Sequence, residues 1–131
     1  MATIVKRMLS GSEHGFPIGI TATAGATLNT IHTGVTGTGV TDEITLYAHN
    51  NYSQALDLVL EFGTTATNAH IVTTIPARGD GLLLVLPGIP LQGSATASTI
   101  SAYVSGLNGS ASAGATSTFI TVTGFVNRIT Q

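Results

Sequence analysis

The chain has 131 residues, a net charge of −2 and a charged fraction of 8%, against ~25% in typical globular proteins. Its length fits one domain, and 4 Lys and Arg residues against 6 Asp and Glu residues exclude the basic surface of a nucleic-acid-binding protein. The absence of cysteine excludes disulfides and thiolate metal sites, and no apolar run reaches the ~18 residues of a membrane helix.

The low charged fraction indicates what the surface of the protein contacts. Thr, Ser, Ala and Gly fill positions that Lys and Glu usually occupy, so a free monomer has little protection against association. We therefore predict a surface that faces other protein, as in adhesins, fibres and virus particles.

Apolar residues recur with a period of two, which predicts antiparallel strands with one face in the core. Ile44, Leu46 and Ala48 share one face of such a strand, and Leu56, Leu58, Leu60 and Phe62 share a face of the next. In chain order the predicted strands are 3–9, 17–23, 27–33, 42–49, 55–63, 69–75, 81–87, 97–104 and 117–128. Short strands with polar turns predict an all-β protein, a single antiparallel β-sandwich and specifically a jelly roll.

We predict two parts, an extended N-terminal arm over 1–16 and a β-sandwich domain over 17–131. The arm holds Lys6 and Arg7 beside apolar residues, and it lacks the long apolar segment of a signal peptide.

Three loops carry motifs with alternative interpretations. The glycines of residues 34–39 lack the Lys-Ser/Thr and the following helix of a phosphate-binding loop. Residues 78–80 read Arg-Gly-Asp, an integrin-type tripeptide, but their position between two apolar runs favours a turn. Pro87 and Pro90 predict a short bend, because proline cannot donate to a central ladder.

Candidate catalytic groups are sparse. The four histidines, His14, His32, His49 and His70, lack metal-ligand spacing, and we predict that they lie in solvent or at an interface. Asp57 and Glu61 share a strand face, yet their Cα atoms would lie ~13 Å apart, beyond either glycosidase geometry unless the side chains converge. The sequence therefore predicts no enzyme, no cofactor and no metal site.

Five short motifs between Thr41 and Thr130 resemble one known family. They are residues 46–50 (LYAHN), 61–63 (EFG), 75–77 (IPA), 85–88 (VLPG) and 124–129 (GFVNRI). Their order resembles that in small capsid decoration, or cement, proteins of tailed phages.

The resemblance implies a structural virion protein, made in the host cytoplasm, that binds the outer surface of an assembled phage head and cements neighbouring capsomers. Its partners would be the major capsid protein and two further copies in a homotrimer, with no nucleic acid and no membrane. We expect capsid binding through Thr3, Ile4, Val5, Lys6, Arg7, Met8 and Phe16. We expect Tyr47, His49 and Arg128 at the subunit interface, where Arg128 either pairs with an acid across the boundary or extends to solvent.

The alternative function is a receptor- or carbohydrate-binding β-sandwich of a fibre or adhesin. Sugar-binding platforms use exposed aromatic rings, and this chain has no Trp. Tyr47, Tyr52 and Tyr103 would form such a platform only if they converge.

Overall fold

The computed structural model describes residues 1–22, 28–63, 69–78, 81–105 and 119–131. These residues contain nine strands and no α-helix. The strands are β1 (Thr3–Met8), β2 (Ile18–Ile20), β3 (Asn29–Thr33), β4 (Val40–Asn50), β5 (Leu56–Phe62), β6 (His70–Ile75), β7 (Leu83–Gln92), β8 (Thr99–Ser105) and β9 (Ile120–Thr130). Among the residues described, no helix has the length and apolarity needed to span a bilayer.

The strands form two antiparallel sheets that pack face to face. The first sheet has the order β1-β9-β4-β7, with β2 also paired to β9, and the second has the order β3-β8-β5-β6. Chain neighbours such as β3 and β4 lie in different sheets, so the chain repeatedly crosses the sandwich. The prediction of an all-β antiparallel sandwich is confirmed.

The core lies between the two sheets and follows the predicted alternation. Ile44, Leu46 and Ala48 of β4 are fully buried against residues of the opposite sheet, and the odd-numbered residues between them face outward. The other strands contribute Leu56, Leu58, Leu60, Ile100, Ala102, Val104, Ile120, Val122 and Val126. Burying one face of each strand in this way fixes the register, because a slip by one residue would turn every core side chain outward.

The predicted strand end at residue 87 is wrong, since β7 continues through Pro87 and Pro90 to Gln92. A bulge lies at the predicted bend, where the pairing with β4 skips Gly88, whose φ is +81°. This strand lies at the edge of the first sheet, where the missing N–H of proline need not interrupt a ladder. The pairing of β4 with β7 shifts register after Ile44 and after Leu46, and these irregularities absorb the local distortion.

The N-terminal segment is partly built into the fold. Strand β1 pairs with β9 from Thr3 opposite Thr130 to Met8 opposite Phe125 and forms the other edge of the first sheet. Leu9 is buried in the core. Gly11 lies so close to β3 that a Cβ atom there would collide with the carbonyl oxygen of Thr30. The role of residues 1–16 as an arm stays a prediction.

The predicted turn at residues 78–80 falls partly outside the described residues, which stop at Arg78 and resume at Gly81. Arg78 is exposed, and its backbone N–H donates to the carbonyl oxygen of Tyr52 at 3.0 Å.

Candidate functional site

A buried ionic cluster joins the two sheets at one end of the sandwich. Asp42 of β4 and Arg128 of β9 are cross-strand neighbours in the first sheet. Nε of Arg128 donates to Oδ1 of Asp42 at 2.8 Å, and Nη2 donates to Oδ2 at 2.9 Å. Nε2 of His32, on β3 of the second sheet, lies 2.7 Å from the same Oδ2. We call these three residues the Asp42 cluster.

The hydrogen bonds of His32 determine where its proton lies. Its Nδ1 accepts from the backbone N–H of Ser10 at 3.0 Å, so Nδ1 carries no proton. The proton is therefore on Nε2, which donates to Asp42. Because both ring nitrogens already have partners, neither is available in this geometry to take a proton from a nucleophile.

The Asp42 carboxyl is ionised. Burial by itself would raise its pKa, but the hydrogen bonds and charges of Arg128 and His32 outweigh that cost and lower the pKa below its ordinary value. The hydrogen bonds to Asp42 in turn raise the pKa of Arg128. The cluster is thus a charge pair with an added imidazole donor, and it connects β3, β4, β9 and the backbone after β1.

A cavity of about 520 Å³ opens beside this cluster. Its wall consists of residues 6–10 together with Ser12, His32 and Arg128. Lys6, Arg7 and Arg128 are three of the 4 Lys and Arg residues in the whole chain. Arg7 and Arg128 lie on the core-side face of the first sheet at this cavity, whereas the ammonium group of Lys6 lies on the outer face, over Phe125. We call it the cationic cleft.

The residues that the resemblance assigns to capsid binding are all exposed. Strand β1 is exposed on both of its faces, and Ile4 in it is 66% accessible. Phe16 is 64% accessible. Phe16 is presented by a tight turn in which its backbone N–H donates to Glu13 at 2.9 Å and its carbonyl accepts from the Ser12 hydroxyl at 2.7 Å. Six of these residues are consecutive, from Thr3 to Met8, and Phe16 follows eight residues later. Capsid binding stays a prediction.

Tyr47 and His49 lie on the outer face of the first sheet. Tyr47 is opposite Leu84 of β7, an exposed apolar residue. The two ring nitrogens of His49 contact the carbonyl oxygen of Gly81 at 3.1 Å and Oδ1 of Asn51 at 3.0 Å. Their place at a subunit interface stays a prediction.

Arg128 has a different environment from these two residues. The carboxylate expected across a subunit boundary lies within the same chain, at Asp42, and both oxygens of that carboxylate are engaged. Arg128 reaches Asp42 because it points to the core side of β9, like Val126 two residues earlier.

One of the four histidines, His32, departs from the prediction of solvent or interface positions, whereas the His14 side chain is 77% accessible. His32 is buried in the Asp42 cluster, and His70 of β6 is opposite Glu61 of β5, with Nε2 3.4 Å from Oε1. Within the described ranges, no three His, Cys, Asp or Glu side chains come together as metal ligands.

The two acids considered for acid–base chemistry do not converge. Oδ1 of Asp57 accepts from the hydroxyl of Thr74, its cross-strand neighbour, at 2.7 Å. Glu61 is directed instead to its own neighbour, His70. The two carboxylates therefore stay as far apart as their positions on the strand require, and they form neither glycosidase geometry.

The three tyrosines do not converge either. Tyr47 faces outward from the first sheet and Tyr103 faces outward from the second, on the opposite side of the sandwich. Tyr52 packs against Phe119 with ring centroids 4.3 Å apart. A three-tyrosine sugar platform is therefore not formed.

Sequence reasoning missed Asp42, His32 and Ser10 as parts of one site. One signal was present, because Asp42 shares the parity of Ile44, Leu46 and Ala48 on β4. An acid on the core face of a strand requires a charged or hydrogen-bonding partner.

Comparisons of the chain with protein-family models, with curated proteins and with solved structures find no match.

Proposed function

We propose that this protein is a structural virion component that binds the outer surface of an assembled phage head as a trimer and cements neighbouring capsomers. The observation that carries the proposal is the concentration of exposed apolar side chains in the N-terminal segment. Ile4, Val5, Met8 and Phe16 all lie within sixteen residues and are exposed. Apolar clusters of this kind on a soluble fold mark surfaces that are covered by a partner.

The low charge of the chain supports the same function. Burying ions at an interface costs several kcal/mol per ion unless they are well paired. A surface rich in Thr, Ser and Ala avoids this cost, so it suits a protein whose exterior is covered by copies of itself and by a shell.

A second apolar surface supports the trimer. Leu82, Leu84 and Ile89, on β7 and just before it, are exposed at the edge opposite β1. Leu84 is next to Tyr47, so this surface continues into the predicted subunit interface. A closed ring with one contact type joins this surface to a different surface of the next subunit and leaves the N-terminal segment for the shell. A three-fold ring matches a three-fold position on an icosahedral shell.

The strand order supports the jelly-roll part of the proposal. A jelly roll has two four-stranded sheets built from two Greek keys. Here, strands adjacent in a sheet, such as β4 and β9 or β5 and β8, are distant in the chain.

Trimeric binding acts through multivalency. When one subunit has docked on a capsomer, the other two contacts form at high effective concentration. Pressure from packaged DNA would have to break several contacts together, and the protein would stabilise the head without catalysis or a cofactor.

The direct test is electron microscopy of purified heads that lack the protein, imaged with and without the added chain. We expect new density at three-fold positions with the wild-type protein and none with the variant Ile4→Ser/Met8→Ser/Phe16→Ser. Substitution is preferable to deletion of residues 1–15, because deletion would also remove the buried Leu9 and the Ser10 N–H that holds His32.

Val72→Ser is the matched control, since Val72 is an exposed apolar residue on β6 of the second sheet. It should bind heads like the wild type. Undiminished binding of the triple variant, or a wild-type protein that sediments only as a 13.3 kDa monomer and leaves heads bare, would contradict the proposal.

A further inference from the structure

One positive charge of the cationic cleft has no counter-charge among the described residues. Arg128 is neutralised by Asp42, with both carboxylate oxygens engaged. Arg7 is opposite Val126 and so lies on the same face of the first sheet as Arg128, and within the described residues it makes no ion pair. Lys6 is opposite Asn127 on the outer face, where its Nζ lies 4.5 Å from the ring centroid of Phe125, so its charge is directed away from Arg7. Arg7 is therefore the unmatched charge of the cleft.

The cleft also offers a hydroxyl donor. Oγ of Ser10 accepts a hydrogen bond from the backbone N–H of Thr33 at 2.7 Å, which holds the oxygen in place at the cleft wall. The hydroxyl hydrogen of Ser10 has no acceptor among the described residues. It is therefore available to an oxygen atom bound in the cleft.

The chemistry of Arg7 and Ser10 indicates what the cleft can bind. A guanidinium fork such as that of Arg7 matches the two oxygens of a carboxylate in a bidentate arrangement. A group that fits these donors therefore has a negatively charged oxygen pair at its end.

We propose that the cationic cleft binds the carboxylate of an Asp or Glu side chain on a partner protein. Arg7 supplies the charge and Ser10 donates its hydroxyl hydrogen. A protein partner is favoured over nucleic acid because one unmatched cation is too few to neutralise a phosphate backbone. This inference rests on the proposed function, because it names the chemistry that the N-terminal segment would recognise on the head surface.

The site can be tested without any head particle. The isotope-labelled full chain is titrated with the peptide acetyl-Gly-Glu-Gly-Glu-Gly-amide and, in parallel, with its Gln counterpart, and amide chemical shifts are followed. We expect saturable shifts at residues 7–12 and at the side-chain Nε–H of Arg128 with the Glu peptide only. Arg7→Gln should weaken this binding by about tenfold, because a charge-assisted hydrogen bond is lost.

Arg78→Gln is the matched control, since it removes the same charge from the fourth basic residue, which does not line the cleft. It should leave the affinity unchanged. Equal weakening by both variants, or equal shifts with the Glu and Gln peptides, would overturn the proposal. Saturation of the same signals by inorganic phosphate but not by the Glu peptide would also overturn it.

The outcomes of the two tests are separable. Loss of head binding in the apolar triple variant, together with an unresponsive cleft, would support the proposed function and reject this inference. Peptide binding by a chain that ignores every head would support the cleft and reject the proposed function.

Discussion

Two histidine–carboxylate pairs lie in different parts of this sandwich and differ in almost every physical respect. His32 and Asp42 are 2% and 1% accessible, and their side chains are 2.7 Å apart. His70 and Glu61 are 23% and 15% accessible and 3.4 Å apart. Nε2 of His70 is buried and has no hydrogen-bond partner among the described residues.

The difference arises from the surrounding donors. Asp42 receives two hydrogen bonds from Arg128, and the backbone N–H of Ser10 fixes the tautomer of His32. Among the described residues, the Glu61 side chain is directed to His70, and the His70 ring also meets the Tyr103 ring, with their centroids 6.3 Å apart. The buried carboxylate of Asp42 therefore has a complete set of hydrogen-bond partners. The more accessible pair of Glu61 and His70, which we call the peripheral pair, lacks such a set.

The largest expected effect comes from removing the central carboxylate. Asp42→Ala leaves the Arg128 guanidinium partly buried without its counter-charge, and we expect a loss of about 3–5 kcal/mol in the free energy of unfolding. Urea denaturation followed by circular dichroism measures this loss. Asp57→Ala is the control, because the half-buried Asp57 contacts only the Thr74 hydroxyl, and it should cost about 1 kcal/mol or less.

The double variant Asp42→Leu/Arg128→Met tests whether unpaired charge causes that loss. Both it and Asp42→Ala leave the Nε2–H of His32 without its acceptor, so the two differ in the uncompensated guanidinium, and stability should recover in part above that of Asp42→Ala. A double variant as unstable as the single one would show that the stranded guanidinium is not the main cause of the loss.

Acidification should produce the next largest effect. The pKa of Asp42 is lower in the folded protein than its ordinary value of 3.8. Its contribution is therefore complete above that value and is lost as the pH falls below 3.8 through the folded-state pKa. Urea midpoints measured between about pH 5 and pH 2.5 should fall more steeply for the wild type than for Asp42→Asn. Urea midpoints that fall equally steeply with pH in the two proteins would contradict a lowered pKa of Asp42.

The smallest effects should come from the peripheral pair. His70→Gln and Glu61→Gln should each change the free energy of unfolding by no more than about 0.5 kcal/mol, as most partly exposed ion pairs do. Thermal or urea unfolding of both variants checks this expectation. A loss above about 2 kcal/mol in either variant would contradict this expectation, because the peripheral pair would then stabilise the fold to an extent close to that of the Asp42 cluster.

Much of the fold was predictable because alternation of apolar residues directly reports which face of a strand is buried. The nine predicted strands match the observed ones to within a few residues, and β4 shows the alternation along its whole length. Strand β7 was cut short at Pro87 because a proline conflicts with a central ladder. Its position at an edge follows from the order of all strands, which local sequence does not reveal.

The Asp42 cluster was less predictable for the same reason. Asp42 and Arg128 are 86 residues apart, and His32 lies in the other sheet. Asp42 shares the parity of the core residues of β4, and Arg128 shares that of Val126 on β9, so this signal was present in the sequence although the prediction did not use it. Their adjacency required the β4–β9 pairing, which depends on topology.

The pairing of β1 with β9 has a practical consequence for protein engineering. Thr3 is the cross-strand neighbour of Thr130, so the first and last strands begin and finish side by side. Cargo fused to either terminus would emerge from one corner of the sandwich, and a short peptide linker could join the termini into a cyclic backbone.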